Sequence, residues 1–179
     1  MLERLDVVKL QPDAVLDVGC GLGQGTARLQ QRFPAALVAG LDVASAMASE
    51  AARRHGRVAR RSIARRLVDW FGAAGESGAA SPVFLAGDAA ALPLRAASVD
   101  LIWSNLAWHW FERPDLVLAN WYRAIRPGGL VSFTAFGVDT LAELARIRPQ
   151  SEAGLAQISG IGARKLERYG APLLELMQD

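Results

Sequence analysis

Cysteine and long apolar segments are what this chain of 179 residues most clearly lacks. Cys20 is the only cysteine, so no internal disulfide can form, and a reducing cytoplasm is the expected compartment. Uncharged stretches such as 101–111 and 127–138 are far shorter than the roughly 20 residues that cross a membrane. The first residues mix charged with apolar side chains, unlike a secretion signal. We therefore expect a cytoplasmic protein without a membrane span.

Lysine and histidine are also scarce. Lys9 and Lys165 are the only lysines, so arginine supplies nearly all of the basic charge. The two histidines support no Ser-His-Asp or Cys-His arrangement, and we expect neither a catalytic side chain nor a metal site. Because the chain is 51% apolar with a net charge of only +2, disorder is excluded, and one domain with a small appendage is expected.

Short apolar runs alternate with helical patterns along the chain. The runs are continuous, which is typical of strands buried on both faces of a parallel sheet. The predicted fold class is therefore α/β, a doubly wound, mostly parallel Rossmann-like sheet over residues 1–145, followed by a short helical tail over 146–179. We predict strands at 14–18, 36–41, 83–86, 99–103 and 130–135, and helices ending near Phe33, over 44–54 and over 114–125.

Glycines or polar residues follow four of the predicted strands, where ligands of open parallel sheets bind. They are the segment 17–23 (DVGCGLG), Asp42, Asp88 and the pair Ser104-Asn105. Alternate glycines let the backbone turn sharply and approach a ligand closely. Asp42 can accept hydrogen bonds from both hydroxyls of a ribose, Asp88 can accept one from an exocyclic amine, and Asn105 lies beside the reacting group. Together they predict a nucleotide-type cofactor site.

The spacing of the glycines discriminates between ligand classes. Counted from Gly19 or from Gly21, the sixth position is Gln24 or Thr26, so the G-x-G-x-x-G pattern of dinucleotide sites is absent. A Walker sequence is absent as well, which argues against a P-loop nucleotide hydrolase. Taken singly, the glycines are compatible with a simple tight turn, and Asp42 or Asp88 with a helix cap.

An acidic residue followed by G-x-G-x-G resembles motif one of the class I S-adenosyl-L-methionine-dependent methyltransferases. Over residues 4–145 the resemblance narrows to the malonyl-acyl-carrier-protein O-methyltransferases of biotin synthesis. It implies that the glycine loop holds the methionine part of the cofactor, Asp42 the ribose and Asp88 the adenine side. The segments that carry it are 15–21 (VLDVGCG), 91–94 (ALPL), 98–101 (SVDL), 103–107 (WSNLA), Trp110, 126–129 (RPGG), 133–137 (FTAFG) and 136–141 (FGVDTL). The expected cofactor-binding residues are Asp17, Gly19, Cys20, Gly21, Gly23, Asp42, Asp88, Ala89 and Asn105.

The resemblance also implies the reaction, in which the free carboxylate of a malonyl thioester takes the methyl group. A carboxylate is ionised at neutral pH, so no general base is needed, and catalysis consists of positioning in a site that excludes water. Trp103, Trp108 and His109 are expected to line the acceptor pocket, although Trp103 also suits core packing and His109 a surface position. A small-molecule methyltransferase of another specificity is the alternative within the same fold.

An arginine-rich segment over 53–66 follows the second predicted helix. It holds seven arginines and lacks acidic residues. If it is mostly helical, it forms either a solvated face or a docking surface for an acidic partner, and we expect acyl carrier protein to be that partner. Charge alone would serve nucleic acid equally well.

The tail carries a second resemblance. Residues 148–170 are similar to the C-terminal half of the HRDC domain of RecQ-type DNA helicases. This stretch contains a turn at Gly160 and Gly162 followed by the cations Arg164 and Lys165. We expect it either to contact a phosphate backbone or to be part of a cap that packs on the sheet.

The methyltransferase resemblance implies a helical segment before strand one and two closing strands after strand five, for which the sequence leaves little room. We therefore expect a chain truncated at both ends of that domain; an inactive fusion that binds nucleic acid through its tail is a further alternative.

Overall fold

A computed structural model describes residues 2–58, 81–158, 161–163, 166, 167, 170, 171 and 174. It confirms the predicted α/β class. Within these residues, six strands form one sheet in the order β3-β4-β2-β1-β5-β6, and all five neighbouring pairs are parallel. The strands are β1 (Ala14–Val18), β2 (Leu37–Asp42), β3 (Arg57–Val58), β4 (Val83–Ala86), β5 (Val99–Asn105) and β6 (Ile125–Thr134). The helices are α1 (Gln24–Arg32), α2 (Ser45–His55), α3 (Pro114–Ala124), α4 (Val138–Ile147) and α5 (Glu152–Ala156), and three 3-10 helices cover Leu2–Val7, Ala89–Ala91 and Trp108–Trp110.

Strand β1 stands at the point where the strand order reverses. After β1 the chain forms β2, β3 and β4 on one side of β1, and it then forms β5 and β6 on the other side. The loops that leave β1 and β5 therefore diverge at the carboxyl end of the sheet, and the crevice that opens between them is the usual ligand position in such folds.

The core lies on both faces of the sheet, which explains why β1 is apolar in a continuous run. On one face, Val15 packs in a cluster with Leu29 of α1 and Trp103 of β5. On the other, Leu16 packs in a cluster with Trp121 of α3. Each fully buried side chain of this size contributes about 1.5–3 kcal/mol. Because side chains alternate along a strand, Asp17 shares the α1 face with Val15.

Two stretches differ from the sequence-based prediction. Strand β6 begins directly after α3, at Ile125, rather than at residue 130, because its pairing with β5 shifts register between Val99 and Leu101, and Gly128 adopts a left-handed φ of 81°. Helix α2 agrees with the helix predicted over 44–54, but the arginine-rich segment beyond it, expected to be mostly helical, contains strand β3 at Arg57–Val58, and its residues from 59 onward lie outside the described part of the chain. A Cβ on Gly56 would lie 2.1 Å from the Pro82 carbonyl oxygen, so close approach to the start of β4 ends α2 at His55.

The chain divides into two compact units, Met1–Ala135 and Phe136–Asp179. The boundary expected after residue 145 lies inside the second unit, because Leu144 of α4 packs with Leu155, Ile158 and Ile161 of the tail. Of the helices that the structure describes, none has the length and apolar character needed to cross a membrane.

Candidate cofactor-binding site

The loop between β1 and α1 turns on three glycines with left-handed φ angles, Gly19 (72°), Gly21 (52°) and Gly23 (80°). A Cβ on Gly19 would lie 2.3 Å from the Cβ of Ala107. The backbone amide of Gly19 donates to the Leu41 carbonyl at 2.8 Å, which ties the loop to the end of β2. Position 19 therefore requires glycine for two reasons: its φ is left-handed, and a side chain there would collide with Ala107.

Asp42 ends β2 and joins it to this loop. Its Oδ2 accepts a hydrogen bond from the Gly21 amide at 2.8 Å, and its Oδ1 accepts one from the Ala44 amide at 3.0 Å. The residue is half-buried, and each carboxylate oxygen keeps a second lone pair for a ligand. The residue expected to bind the ribose thus lies at the tip of the glycine loop.

A pocket opens beside the loop and brings together five of the residues singled out from the sequence. It is lined by Asp17, Gly19, Cys20, Leu22, Gln24, Gly25, Trp103 and Asn105. Leu22, Gln24 and Gly25 were missed in the sequence analysis. The signal for Gly25 was available, since it continues the alternate glycine spacing that starts at Gly19.

Asp17 is the buried acidic residue of the pocket, with 3% of its surface exposed. Its Oδ2 accepts a hydrogen bond from the Thr26 hydroxyl at 2.7 Å. Burial raises the pKa of Asp17 from 3.8 to about 7, the Asp42 charge adds to the rise, and the Thr26 hydrogen bond opposes it. Burial, with these two acids nearby, also raises the pKa of the Cys20 thiol, so that thiol stays neutral.

Trp103 and Asn105 form the β5 side of the pocket. Trp103 is paired in register with Asp17 and is 2% exposed. Its indole Nε1 is buried and has no hydrogen-bond partner among the residues that the structure describes. Asn105 is held by a short chain of hydrogen bonds, in which the Leu106 amide donates to the Thr134 hydroxyl at 3.1 Å and that hydroxyl donates to Asn105 Oδ1 at 3.0 Å. The polar groups of this wall are therefore fixed by the sheet.

Asp88 and Ala89 lie at the end of β4 and do not line this pocket. Asp88 is exposed, and its Oδ1 caps the following 3-10 helix by accepting from the Ala90 amide at 2.8 Å. Ala89 is 6% exposed and belongs to the core. The Gly87 amide donates to the Asp42 carbonyl at 2.9 Å, so the residue before Asp88 is hydrogen-bonded to the end of β2. Their cofactor roles stay predictions.

The residues expected to bind the acceptor lie in different surroundings. Trp108 stacks on Phe133 with ring centroids 4.9 Å apart and contacts Trp121 at 5.7 Å, so it belongs to an aromatic cluster. His109 is half-buried beside Trp110, and burial lowers its pKa, which favours the neutral ring. The acceptor roles of Trp103, Trp108 and His109 stay predictions.

Two arginines at the start of the arginine-rich segment form ion pairs with a glutamate, which offsets part of their positive charge. Arg53 and Arg54 both contact the Glu50 carboxylate at 2.6 Å, and their hydrogen bonds lower the pKa of Glu50 to about 2. Arg60, Arg61, Arg65 and Arg66 lie outside the described residues, as do Gly160, Arg164 and Lys165 of the tail. Among the residues that are described, no cluster of His, Cys, Asp or Glu is arranged to hold a metal ion.

Two known protein families match this chain. The methyltransferase domain family matches residues 16–133, which include β1, the glycine loop, Asp42 and most of the sheet. The chain belongs to the methyltransferase domain family. The HRDC domain family matches residues 132–177, which confirms the resemblance of the tail.

Curated relatives of this methyltransferase domain carry the name of one group of methyltransferases. A malonyl-[acyl-carrier protein] O-methyltransferase of Methylovorus sp. is 41% identical over 144 residues, which are 80% of this chain and 44% of the relative. The enzyme of the same name from Nitrosospira multiformis is 37% identical over 80% of this chain and 45% of its own length. The chain thus spans less than half the length of these relatives, and the family resemblance seen in the sequence is confirmed.

Solved structures share the fold. An S-adenosyl-L-methionine-dependent methyltransferase structure from Methanococcus maripaludis superposes with a TM-score of 0.60 at 18% identity, covering 98% of this chain and 73% of that one. The plantazolicin methyltransferase BpumL, in complex with a triazolic desmethylPZN analog and SAH, gives a TM-score of 0.59 at 18% identity, covering 86% of this chain and 50% of that one. At this level of identity the likeness concerns the Rossmann-like fold alone.

Proposed function

We propose that the chain binds S-adenosyl-L-methionine and transfers its methyl group to the free carboxylate of a malonyl-acyl-carrier-protein thioester, a step in the synthesis of a biotin precursor. The observation that carries the proposal is the hydrogen bond between Asp42 and the Gly21 amide, which sets a ribose-binding carboxylate on the tip of the glycine loop. The names of the curated relatives support the choice of acceptor.

The residues of the glycine loop, of the end of β2 and of the pocket beside them fit such a cofactor. Gly19 has no room for a side chain, and Gly21 has a left-handed φ with no atom within 4 Å of its Cβ position, so the loop presents bare backbone to a ligand. Asp42 offers lone pairs to two hydroxyls. A second acid, Asp17, lines the pocket beside the loop. This donor and acceptor set suits a nucleoside that carries a charged amino-acid end.

The protein's own contribution is to bind, orient and exclude water. The bound cofactor supplies a methyl group on a sulfonium, which carries its own leaving group. The acceptor carboxylate needs no base, since it is ionised at neutral pH. Trp103 and Leu22 form apolar walls of the pocket, and the Asn105–Thr134 hydrogen bond fixes the polar wall. The rate then comes from alignment of the two reactants.

Calorimetric titration with S-adenosylhomocysteine tests the cofactor site. We expect the unaltered chain to bind it and Asp42→Asn to weaken binding about tenfold or more, because the amide loses the charge and one acceptor. Asp115→Asn is the matched control, since Asp115 is an exposed carboxylate away from the pocket that forms an ion pair with Arg113 at 2.7 Å. Equal affinity of the Asp42 variant and the unaltered chain would contradict the assignment of Asp42.

The same titration separates a second candidate, nucleic-acid binding by the tail, which the HRDC match favours. A chain of that kind gives no heat with S-adenosylhomocysteine and binds single-stranded DNA with an affinity that falls steeply as salt rises. If the cofactor does bind, an assay with malonyl thioesters then decides between the malonyl acceptor and another small molecule.

Docking of acyl carrier protein to the arginine-rich segment is part of the proposal. Neutralising Arg57, Arg60 and Arg61 together is expected to raise KM for the carrier-bound substrate several-fold at low salt, because a basic face steers an acidic partner. Arg53→Ala with Arg54→Ala is the comparison, and it should matter less because Glu50 already pairs with both. The KM for a small malonyl thioester should not change. An unchanged KM for the carrier-bound substrate would rule the docking surface out.

A further inference from the structure

Strand β6 forms one edge of the sheet. Among the residues that the structure describes, it pairs with β5 on one side and with no strand on the other. The Thr134 carbonyl accepts from the Leu106 amide, so it points toward β5. Because backbone N–H and C=O groups alternate in direction along a strand, those of Val131 and Phe133 point away from β5. These two residues therefore present hydrogen-bond donors and acceptors to the edge.

The surface beside this edge is apolar and exposed. Phe133 packs against Trp121 of α3 with ring centroids 6.0 Å apart, so its side chain lies on the α3 face of the sheet. Val131 lies on the same face, because side chains alternate along a strand. Phe133 and Val131 are nevertheless 44% and 36% exposed, so each keeps apolar surface for a partner.

Helix α3 adds two more exposed apolar side chains. Leu118 and Tyr122 are one turn apart and are 47% and 85% exposed. They lie on the flank opposite Asn120 and Arg123, which donate to carbonyls of the segment 90–94 that follows β4. Since β4 and β6 lie on opposite sides of β5, Leu118 and Tyr122 face the β6 edge. This surface carries no charge, so it suits an apolar partner better than an acidic one.

We propose that a second copy of this chain pairs with β6 in antiparallel register about a two-fold axis at Ser132, which joins the two sheets into one. In this register Val131 lies opposite the partner's Phe133, and the outward backbone groups of these residues bond to each other. A β-branched residue opposite an aromatic one is a favourable cross-strand pair. Pro127, which has no N–H to donate, lies outside the paired segment 130–134.

A second copy is the occupant that this surface fits, because a two-fold axis makes one patch complementary to itself. Five paired residues span about 17 Å, and with the α3 flank each copy covers on the order of 500 Å², or about 1,000 Å² in total. This area is at the lower limit for a specific interface, so we expect a reversible dimer that dissociates in the micromolar range. None of the four apolar residues lines the pocket, so the inference does not depend on the proposed function.

Sedimentation equilibrium of the full chain, from micromolar to submillimolar concentration, tests the oligomeric state. We expect the mass of one chain on dilution and of two chains at high concentration. Leu118→Glu should weaken the dimer about tenfold or more, because it brings two like charges to the interface. Leu116→Glu is the matched control, since Leu116 is 41% exposed on the Asn120 flank of the same helix, and it should change the dimer less than about twofold. A monomer throughout, an assembly larger than a dimer, or equal effects of the two variants would overturn the proposal.

Disulfide cross-linking in a Cys20→Ser background tests the register. Ser132 would lie opposite the partner's Ser132 in a non-hydrogen-bonded pair, with Cα atoms about 4.5 Å apart, which a disulfide can span. Ser132→Cys should therefore form a covalent dimer on oxidation. Val131→Cys should not, although Val131 is the more exposed residue, because the two copies of residue 131 lie farther apart than about 7 Å.

Two further results would contradict the dimer. Equal cross-linking of the two cysteine variants would indicate random collision or another register. A monomer in which the Val131 and Phe133 amides exchange slowly with deuterated water would show that another segment of the chain occupies the edge.

Discussion

Replacing Gly19 with alanine is expected to lower the free energy of unfolding by about 3 kcal/mol or more and to abolish binding of S-adenosylhomocysteine. The new Cβ would lie 2.3 Å from the Cβ of Ala107, well inside van der Waals contact. The φ of 72° adds about 1 kcal/mol for any residue with a side chain. Since the Gly19 amide is bonded to the Leu41 carbonyl, relief requires the loop to leave the end of β2.

Urea denaturation and calorimetry measure the two effects, and two further variants isolate the cause. Gly21→Ala keeps the conformational cost, with a φ of 52°, but meets no atom within 4 Å. It should cost only about 1 kcal/mol. Adding Ala107→Gly to the Gly19 variant removes the clashing carbon and should restore part of the stability. Equal losses in the two single glycine variants would show that the contact with Ala107 is unimportant.

Local sequence patterns were sufficient for much of the fold. The bounds predicted for the strands at 14–18 and 83–86 agree with β1 and β4, because a short, continuous apolar run between glycine or proline residues admits few alternatives. The glycine loop and its nearness to Asp42 also followed from the chain alone. Successive parallel strands end at the same edge of a sheet, so residues at those ends come together.

Features that depend on register or distant contacts could not be predicted. The start of β6 at Ile125 follows from a shift in its pairing with β5, which leaves no local trace in a stretch containing proline and two glycines. The pairing of Asp17 with Trp103 likewise depends on the alignment of β1 with β5. Trp108 occurs beside plausible pocket residues in the sequence, yet the stacking on Phe133 places it in an aromatic cluster.

Asp17→Asn is expected to stabilise the ligand-free protein at pH 8 by a few kcal/mol and at pH 4 by less than about 1 kcal/mol. The pKa of Asp17 is raised from 3.8 to about 7 on folding, so the ionisable side chain costs stability progressively as pH rises from about 4 to about 7, and the cost is constant above that. Asparagine is neutral throughout and can still accept from the Thr26 hydroxyl, which now donates at 2.7 Å. Urea denaturation at the two pH values measures the effect, with Asp115→Asn as the exposed control.

The same substitution is expected to weaken binding of S-adenosylhomocysteine at pH 8, because the amino-acid end of this ligand carries an ammonium group and the proposed site loses the ionised carboxylate of Asp17. In the unaltered chain the ammonium favours ionised Asp17, so the affinity should rise with pH up to about 7 and then level off, whereas the Asp17→Asn affinity should not follow this rise. A variant that is both less stable at pH 8 and equally tight would contradict both expectations. Opposite effects on stability and on binding are the signature of a side chain whose burial costs folding free energy and whose charge serves the ligand.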